Sequence, residues 1–194
     1  MNLEDYRTVF VVSGLILILV ASAPTLSLVL PFSGGGEHFS ELWILGPNHM
    51  AEDYPFNVRA GESYLVHVGV GNHMGSSIYY NVTVKFRNQT EDLPNATAGT
   101  PSPLRPLYEY HIFLEGGESW EAPLTFSLVG NQSLIRSLMI NNVEFAVNKT
   151  AFWDGENNGY YYQVFVELWI YNVEANTFEF HNRFVGIWLN MTGV

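Results

Sequence analysis

The chain has 194 residues and no cysteine, and its formal net charge is −11 with only eight Lys and Arg. The absence of cysteine excludes disulfides, thiolate nucleophiles and Cys-ligated metals. The acidic charge, without a cluster of basic residues, argues against nucleic acid as a partner. Aromatic residues make up 15% of the chain and charged residues 14%, which is typical of one folded domain rather than of a disordered chain.

An uncharged apolar segment lies near the N-terminus. Residues 9–30 carry no charge, and as a helix they would cover about 33 Å, enough to cross the hydrocarbon layer of a bilayer. A cleaved signal peptide is the alternative, since Ala21-Ser22-Ala23 has the form of a cleavage site. Pro24 follows directly and disfavours cleavage. We therefore predict a retained anchor at 1–32 that contacts membrane lipid through residues 9–30, followed by a Gly-rich neck at 33–37.

Six Asn-x-Ser/Thr sequons follow this segment, whereas the content of Asn, Ser and Thr would give about two by chance. They begin at Asn81, Asn88, Asn95, Asn131, Asn148 and Asn190. Glycosylated sequons would place residues 38–194 outside the cell, as the extracellular domain of a single-pass protein of the cell membrane with a cytoplasmic N-terminus. The alternative is an Asn- and Thr-rich β surface with coincidental sequons.

Most of the remaining chain alternates apolar and polar residues with the period of a β-strand. The clearest strands are predicted at 77–86, 119–129 and 160–170. Others are expected near 41–45, 63–71, 107–114 and 178–189, with one more around 143–147. Seven to nine strands with turns between them predict an all-β, two-sheet sandwich, preceded by one transmembrane helix. The alternation places Trp120 on a buried face and Asn81 on the outer face, where a glycan fits.

Residues 41–83 resemble a known family. The run Glu41-Leu42-Trp43-Ile44-Leu45-Gly46-Pro47, the segment Gly69-Val70-Gly71-Asn72-His73 and Tyr80-Asn81-Val82-Thr83 are similar to the C-terminal domain of an uncharacterised family of mainly archaeal predicted membrane proteins, known as a domain of unknown function. Looser similarity extends over about residues 38–190. Family members often carry several membrane helices before this domain. The resemblance implies an archaeal surface protein with an immunoglobulin-like domain, and it implies no activity.

The segment 46–55 has two interpretations. Gly46-Pro47 and Tyr54-Pro55 are typical of turns. The alternative is a metal site formed by nearby histidines and carboxylates. Its ligands would be His49, His67 and His73 with Glu52 or Asp53. Nothing in the spacing brings these side chains together, so we interpret the segment as scaffold and predict no metal site and no cofactor.

An acidic loop and several carboxylate pairs are the other candidates for chemistry. Asp154, Glu156 and Asn158 offer oxygen ligands for calcium, although the loop lacks the spacing of an EF-hand and such hairpin loops are common without metal. The pair Glu118 and Glu121 would serve glycoside hydrolysis only across a sugar-sized cleft, and we interpret it as a solvated face. Catalytic motifs do not stand out, so we predict that the protein is not an enzyme.

Outward-facing aromatic residues on the strand predicted at 160–170 favour a partner surface. Tyr161, Phe165 and Trp169 lie on its outward side, and such side chains exposed to water indicate a binding partner. The alternative is that both faces of this strand are covered. We expect a non-catalytic structural or interaction role in the cell envelope, with identical copies or other envelope and membrane proteins as partners. A single-span accessory subunit of a membrane-embedded enzyme complex and a pilin-like filament subunit are the alternatives.

Overall fold

A computed structural model describes residues 6–7, 9–18 and 38–192. The chain forms two compact units, Met1–His38 and Phe39–Val194. In the first unit, residues 6–7 and 9–18 are helical. No helix within the described residues is long and apolar enough to span a bilayer, so they do not support the predicted transmembrane helix. The remainder of the predicted span, residues 19–30, and the neck at 33–37 lie outside the described residues.

The second unit is built from β-strands, as the alternation predicts. The strands of the described residues are β1 (Phe39–Leu45), β2 (Asn57–Val58), β3 (Ser63–His73), β4 (Ile78–Asn88), β5 (Tyr108–Leu114), β6 (Ser119–Gly130), β7 (Leu134–Ile140), β8 (Val143–Thr150), β9 (Trp153–Asp154), β10 (Gly159–Asn172) and β11 (Thr177–Met191). Two of them, β2 and β9, have only 2 residues each. The nine longer strands stand at the upper end of the predicted number.

The strands form the two sheets of a sandwich. The first sheet has five strands in the order β1-β3-β6-β7-β8, and the second has the order β2-β11-β10-β4-β5, with β9 paired to β10 at its side. The short strand β2 runs parallel to β11, whereas the other pairs are antiparallel. The prediction of a mostly β, two-sheet sandwich is confirmed.

The core lies between the sheets and is formed by alternate residues of each long strand. On β3, Val66, Val68 and Val70 are fully buried, and on the facing sheet the rings of Phe86 and Tyr162 stack with centroids 5.5 Å apart. The inward sides predicted for β4, β6 and β10 are therefore largely confirmed. Trp120 is an exception, because it is only partly buried at the margin of the core.

The sequence interpretation missed β7. Its alternation is interrupted because the pairing with β8 shifts register between Ile135 and Ser137. The turn that follows consists of Asn141 and Asn142, whose φ angles are 47° and 66°, as a two-residue hairpin of type I′ requires. Its partner β8 ends the first sheet and contains Asn148 with φ of 48°.

The outer face of the second sheet is covered at its centre by the long connection between β4 and β5. Ser102, in this connection, donates its backbone N–H to Glu167 Oε1 at 2.9 Å and accepts a hydrogen bond from Lys85 Nζ at 2.9 Å. Lys85 Nζ and Glu167 Oε2 lie 2.8 Å apart, with side-chain exposures of 3% and 0%. An enclosed ion pair thus fastens the connection to the sheet, and the central strands β4 and β10 are buried on both faces.

Candidate functional site

Two histidines and one carboxylate meet on the outer face of the first sheet. His67 lies on β3, Glu121 lies on the neighbouring strand β6, and His49 lies in the loop after β1. His49 Nδ1 is 2.5 Å from Glu121 Oε1, and the two imidazole rings stack with centroids 3.8 Å apart. Each residue offers one metal-ligating atom, and these atoms lie within 4.8 Å of one another. We call His49, His67 and Glu121 the His–Glu cluster.

A tight turn brings His49 over the sheet. Gly46 N donates to Met50 O at 2.7 Å, and His49 N donates to Gly46 O at 3.1 Å. A Cβ atom on Gly46 would lie 1.9 Å from Glu52 O, so only glycine fits this turn. His49 itself has a φ of 59°, an uncommon backbone conformation for a residue with a side chain. The loop therefore reverses direction sharply and places His49 over the sheet to which β1 belongs.

Trp43 and Gly69 position the carboxylate. They are paired on β1 and β3, and a Cβ atom on Gly69 would lie 2.1 Å from the Trp43 ring. Because Gly69 has no side chain, the indole lies across β3 and reaches the next strand. There Trp43 Nε1 donates to Glu121 Oε2 at 3.1 Å.

The three cluster residues differ in exposure. His67 is only 7% exposed, and its Nδ1 lies 3.2 Å from Gly46 O. The side chains of His49 and Glu121 are 63% and 27% exposed. The hydrogen bond with His49 is the main cause that holds the pKa of Glu121 below its ordinary value, and the bond from Trp43 acts in the same direction against the opposing effect of burial. Glu121 is therefore a carboxylate at neutral pH, with one oxygen facing each donor.

The expectation that nothing brings the histidines of this region together is wrong for two of them. His49 and His67 meet, but their carboxylate is Glu121 from β6 rather than Glu52 or Asp53, and Glu121 is not simply solvated. His73 lies further along β3, where Nε2 is 3.3 Å from Glu41 Oε2 and the ring stacks on Phe39 at 4.7 Å. Both His67 and Glu121 occupy outward positions of predicted strands, but the sequence does not show that these strands are neighbours.

A second feature is a group of aromatic side chains at one end of the second sheet. Its outward residues on β4, β5, β10 and β11 are Tyr79, His111, Phe113, Tyr171 and Phe178, which we call the aromatic row. Tyr79, Tyr171 and Phe178 contact one another with ring centroids 5.2–5.9 Å apart. Tyr79 is 39% and Phe113 is 65% exposed. An exposed group of this kind is typical of a contact surface.

The structure corrects the partner surface predicted on β10. Phe165 is 0% exposed, so the expectation that it faces water is wrong, since this side of β10 is covered. Trp169 is partly buried, with Nε1 3.3 Å from Thr83 Oγ1. Tyr161 is also partly buried, and its hydroxyl donates to Asn157 O at 2.5 Å. Tyr161 lines a cleft of about 330 Å³ together with Phe56 and Trp188 at the end of the sheet opposite the aromatic row.

The six sequon asparagines differ in accessibility. Asn81 is 7% exposed and its Nδ2 donates to Glu109 Oε2 at 3.1 Å, so the prediction that it lies on an open outer face is wrong. The side-chain amides of Asn88 and Asn190 donate to Thr150 O and Asn57 Oδ1. The remaining three asparagines are exposed. They are Asn95, Asn131 and Asn148. Glycosylation of the six remains a prediction.

The acidic loop forms the turn between β9 and β10. Asp154 Oδ1 accepts hydrogen bonds from the backbone N–H groups of Glu156 and Asn157, and Oδ2 accepts one from Asn157 Nδ2 at 2.8 Å. These bonds, above all those from Asn157, lower the pKa of Asp154. Asn158 has a φ of 55°, as a turn residue. The carboxylate of Asp154 thus organises its own turn, and calcium at Asp154, Glu156 and Asn158 remains an untested alternative.

These features define a two-sheet β-sandwich domain with a His–Glu cluster on one outer face and an aromatic row on the other. The chain belongs to the DUF1616 family, a domain of unknown function, and the match covers residues 33–140. The resemblance of residues 41–83 to a domain of unknown function is confirmed. No curated protein sequence matches the chain.

Several solved structures are similar to the chain at low sequence identity. The CARDB domain of the PF1109 protein from Pyrococcus furiosus, solved in complex with di-metal ions, is 11% identical with a TM-score of 0.40, over 80% of this chain and 90% of that one. A β-glucosidase from Listeria innocua in complex with glucose is 12% identical with a TM-score of 0.37, over 81% of this chain but 16% of the enzyme. The ASH/PapD-like domain of human CEP192 is 8% identical with a TM-score of 0.32, over 79% and 84%.

Proposed function

We propose that the protein is a membrane-anchored, N-glycosylated archaeal cell-surface protein with a non-catalytic interaction role, and that its aromatic row binds a neighbouring membrane protein. The uncharged segment 9–30 supports the anchor, and the sequons support an extracellular domain, with Asn95, Asn131 and Asn148 the most accessible. The order β11-β10-β4-β5 in the second sheet supports an immunoglobulin-like description, since it is the order of the GFC sheet extended by C′.

The position of the aromatic row is the observation that carries the proposal. The chain enters the sandwich at Phe39, which is paired with His73 at the end of β3. The turns that follow β3 and β5 meet at this same end, because Asn72 Nδ2 donates to Ser76 O and Leu114 O. Tyr79 and Phe113 are paired next to these turns. The aromatic row therefore lies at the end of the sandwich where the chain enters it, and the proposed anchor precedes that end in the sequence.

The charges around the aromatic row indicate the kind of partner. Three carboxylates lie on the same face or in the adjacent turns. Glu109 Oε2 is 3.4 Å from His111 Nε2 of the aromatic row, and Glu115 and Glu174 lie in the turns that follow β5 and β10. A second copy docked through the same surface would face these carboxylates with its own, and like charges across an interface are unfavourable. The acidic rim instead favours a different protein, with an apolar centre surrounded by Lys or Arg.

Site-specific photocrosslinking in native membranes tests the proposal. A photoreactive amino acid at position 113 of the full chain should give one adduct of defined mass with another membrane protein. Position 152 is the matched control, since Phe152 is 67% exposed and lies near Gln89, at the far end of β4. Replacing Tyr79 by Ser should reduce the adduct at position 113 at least tenfold, because aromatic anchors commonly dominate such contacts.

Three results would contradict this proposal. Adducts of the chain with itself would favour self-assembly, either as an envelope layer or as a pilin-like filament. Adducts with lipid alone would mean that the aromatic row faces the bilayer rather than a protein. Equal adducts at positions 113 and 152 would show that the aromatic row has no special role.

A further inference from the structure

The His–Glu cluster has the ligand types of a transition-metal site. Imidazole nitrogens and a carboxylate oxygen suit Zn²⁺ and neighbouring divalent transition metals, whereas Ca²⁺ and Mg²⁺ prefer oxygen ligands alone. Two His and one Glu occur together at zinc sites that keep the fourth position for water or another ligand. We propose that His49, His67 and Glu121 bind one Zn²⁺ or a similar divalent transition-metal ion.

A hydrogen bond to a backbone carbonyl sets the tautomer of His67 that can bind a metal ion. Its Nδ1 lies 3.2 Å from Gly46 O, and a carbonyl oxygen only accepts, so Nδ1 carries the proton and Nε2 keeps its lone pair. Metal-ligating histidines usually donate their second N–H to a carbonyl or carboxylate in this way. The ring is 7% exposed and is therefore held in one orientation by its surroundings.

The two carboxylate oxygens of Glu121 have different partners, and this orients the group as a ligand. Trp43 Nε1 donates to Oε2 at 3.1 Å, which orients the carboxylate and leaves Oε1 directed to His49 at 2.5 Å. Gly69 is part of this arrangement, because any side chain there would displace the indole. Gly46 O and Trp43 Nε1 thus support the ligands from outside the coordination shell, as is usual around bound metals.

His49 is the adjustable ligand. In the structure its ring stacks on His67, and two stacked rings cannot both direct a lone pair at one ion. The side chain is 63% exposed and lies on a loop, so it is free to rotate out of the stack. Ligands about 2.1 Å from zinc in a tetrahedron are about 3.4 Å apart. The present separations are within 4.8 Å, so the ligand atoms must approach one another by at most about 1.4 Å. Metal binding would therefore tie the 46–55 loop to β3 and β6.

Titration calorimetry on the full chain in detergent, stripped of metal with chelator, tests the proposal with ZnCl₂ as the probe. We expect one Zn²⁺ per chain. His49→Gln removes an exposed ligand and should weaken binding at least tenfold with the far-UV circular dichroism unchanged. Trp43→Phe keeps all three ligands but removes the donor to Glu121, and should weaken binding about tenfold, the lower end of the effect of such supporting residues.

The matched control is His73→Gln. His73 and Glu41 form another histidine–carboxylate pair on the same face, 3.3 Å apart, but His49 and His67 are not beside them. This variant should bind Zn²⁺ like the unmodified protein. Co²⁺ provides a second measurement, since ligation by His49, His67 and Glu121 should give visible absorption bands that His49→Gln abolishes. Absence of Zn²⁺ binding, unchanged binding in His49→Gln, or an equal loss in His73→Gln would overturn the proposal.

Discussion

The outer faces of the two sheets differ in the exposure of their polar side chains. On the first sheet, His49 and His73 are exposed and lie close to carboxylates, at 2.5 Å from Glu121 and 3.3 Å from Glu41. On the second sheet, Lys85 and Glu167 lie at equivalent outward positions but are sealed under the β4–β5 connection. The same alternation of residues thus gives an accessible polar surface in one sheet and a second buried layer in the other.

This difference shows that a segment lying over a sheet buries the outward residues of the strands it covers. Where the connection lies over β4 and β10, their outward residues, including Phe165, become part of the interior. Where no segment covers the strands, outward residues remain available for ligands. Substitutions at matched positions should therefore affect the stability of the second sheet and the binding properties of the first.

Replacement of Phe165 by Ala should have the largest effect. The ring is 0% exposed, and its removal should lower the free energy of unfolding by about 4 kcal/mol, through lost burial and the cavity left behind. Phe113→Ala is the matched control on the same face, because Phe113 is 65% exposed and its loss should change stability by about 0.5 kcal/mol or less. Urea denaturation of both variants checks the difference. Equal effects would mean that the connection does not cover β10.

Lys85→Met should have the next largest effect. It leaves the Glu167 carboxylate buried without its cation, at a cost of about 3 kcal/mol in the free energy of unfolding. The double variant Lys85→Met/Glu167→Leu should recover most of this loss, since an apolar pair replaces the charges. In the exposed pair of Arg59 and Glu62, 3.7 Å apart, Arg59→Met should cost less than about 1 kcal/mol. Similar losses at Lys85 and Arg59 would contradict an enclosed ion pair.

Gly69→Ala should have a smaller effect, on the first sheet. The added Cβ would lie 2.1 Å from the Trp43 ring, so the indole must move, and overpacking of this kind costs about 1–3 kcal/mol. Near-UV circular dichroism should report the altered tryptophan, and denaturation the lost stability. Gly155→Ala is the control, because its nearest neighbouring atom would lie 4.0 Å away. A Gly69→Ala variant with unchanged spectrum and stability would show that the indole is not held against β3.

The smallest expected effect is a change in acid stability at Glu121. Its pKa is lowered in the folded protein from the ordinary value of 4.5, mainly by the bond with His49. A carboxyl with a lowered pKa stabilises the fold above its ordinary value, and this contribution is lost as the pH falls through the folded value. In the presence of chelator, the stability difference between wild type and Glu121→Gln should therefore shrink below pH 4.5. A His49→Gln background should reduce this pH dependence, and an unaltered profile would argue against the bond.

Much of the fold is encoded in local patterns. The alternation in β4, β6 and β10 predicted their inward sides, because one face of each strand must meet the opposite sheet. The pattern failed at β7, where the shift of register near Ile135 breaks the period of two. It also failed on the outward side of β10. The connection that covers this side comes from a distant part of the chain, and the residues of β10 themselves do not indicate that it lies there.

The His–Glu cluster shows a similar limit. The outward position of His67 follows from the sequence, and so does the turn character of Gly46-Pro47. The meeting of His67 with Glu121 depends on the pairing of β3 with β6, two strands separated by β4 and β5 in the chain. The His49 contact depends on the direction in which the loop folds back. Neither pairing nor loop direction is set by residues next to the histidines.

The irregular edge strand β8 has a consequence for how copies of this protein meet. A straight edge strand exposes a row of unpaired N–H and C=O groups that invites another chain to add a strand. In β8 the left-handed backbone at Asn148 and the register shift opposite Ile135 interrupt that row. Continuous sheets running from one molecule to the next are therefore disfavoured along β8, which protects the protein from edge-to-edge aggregation.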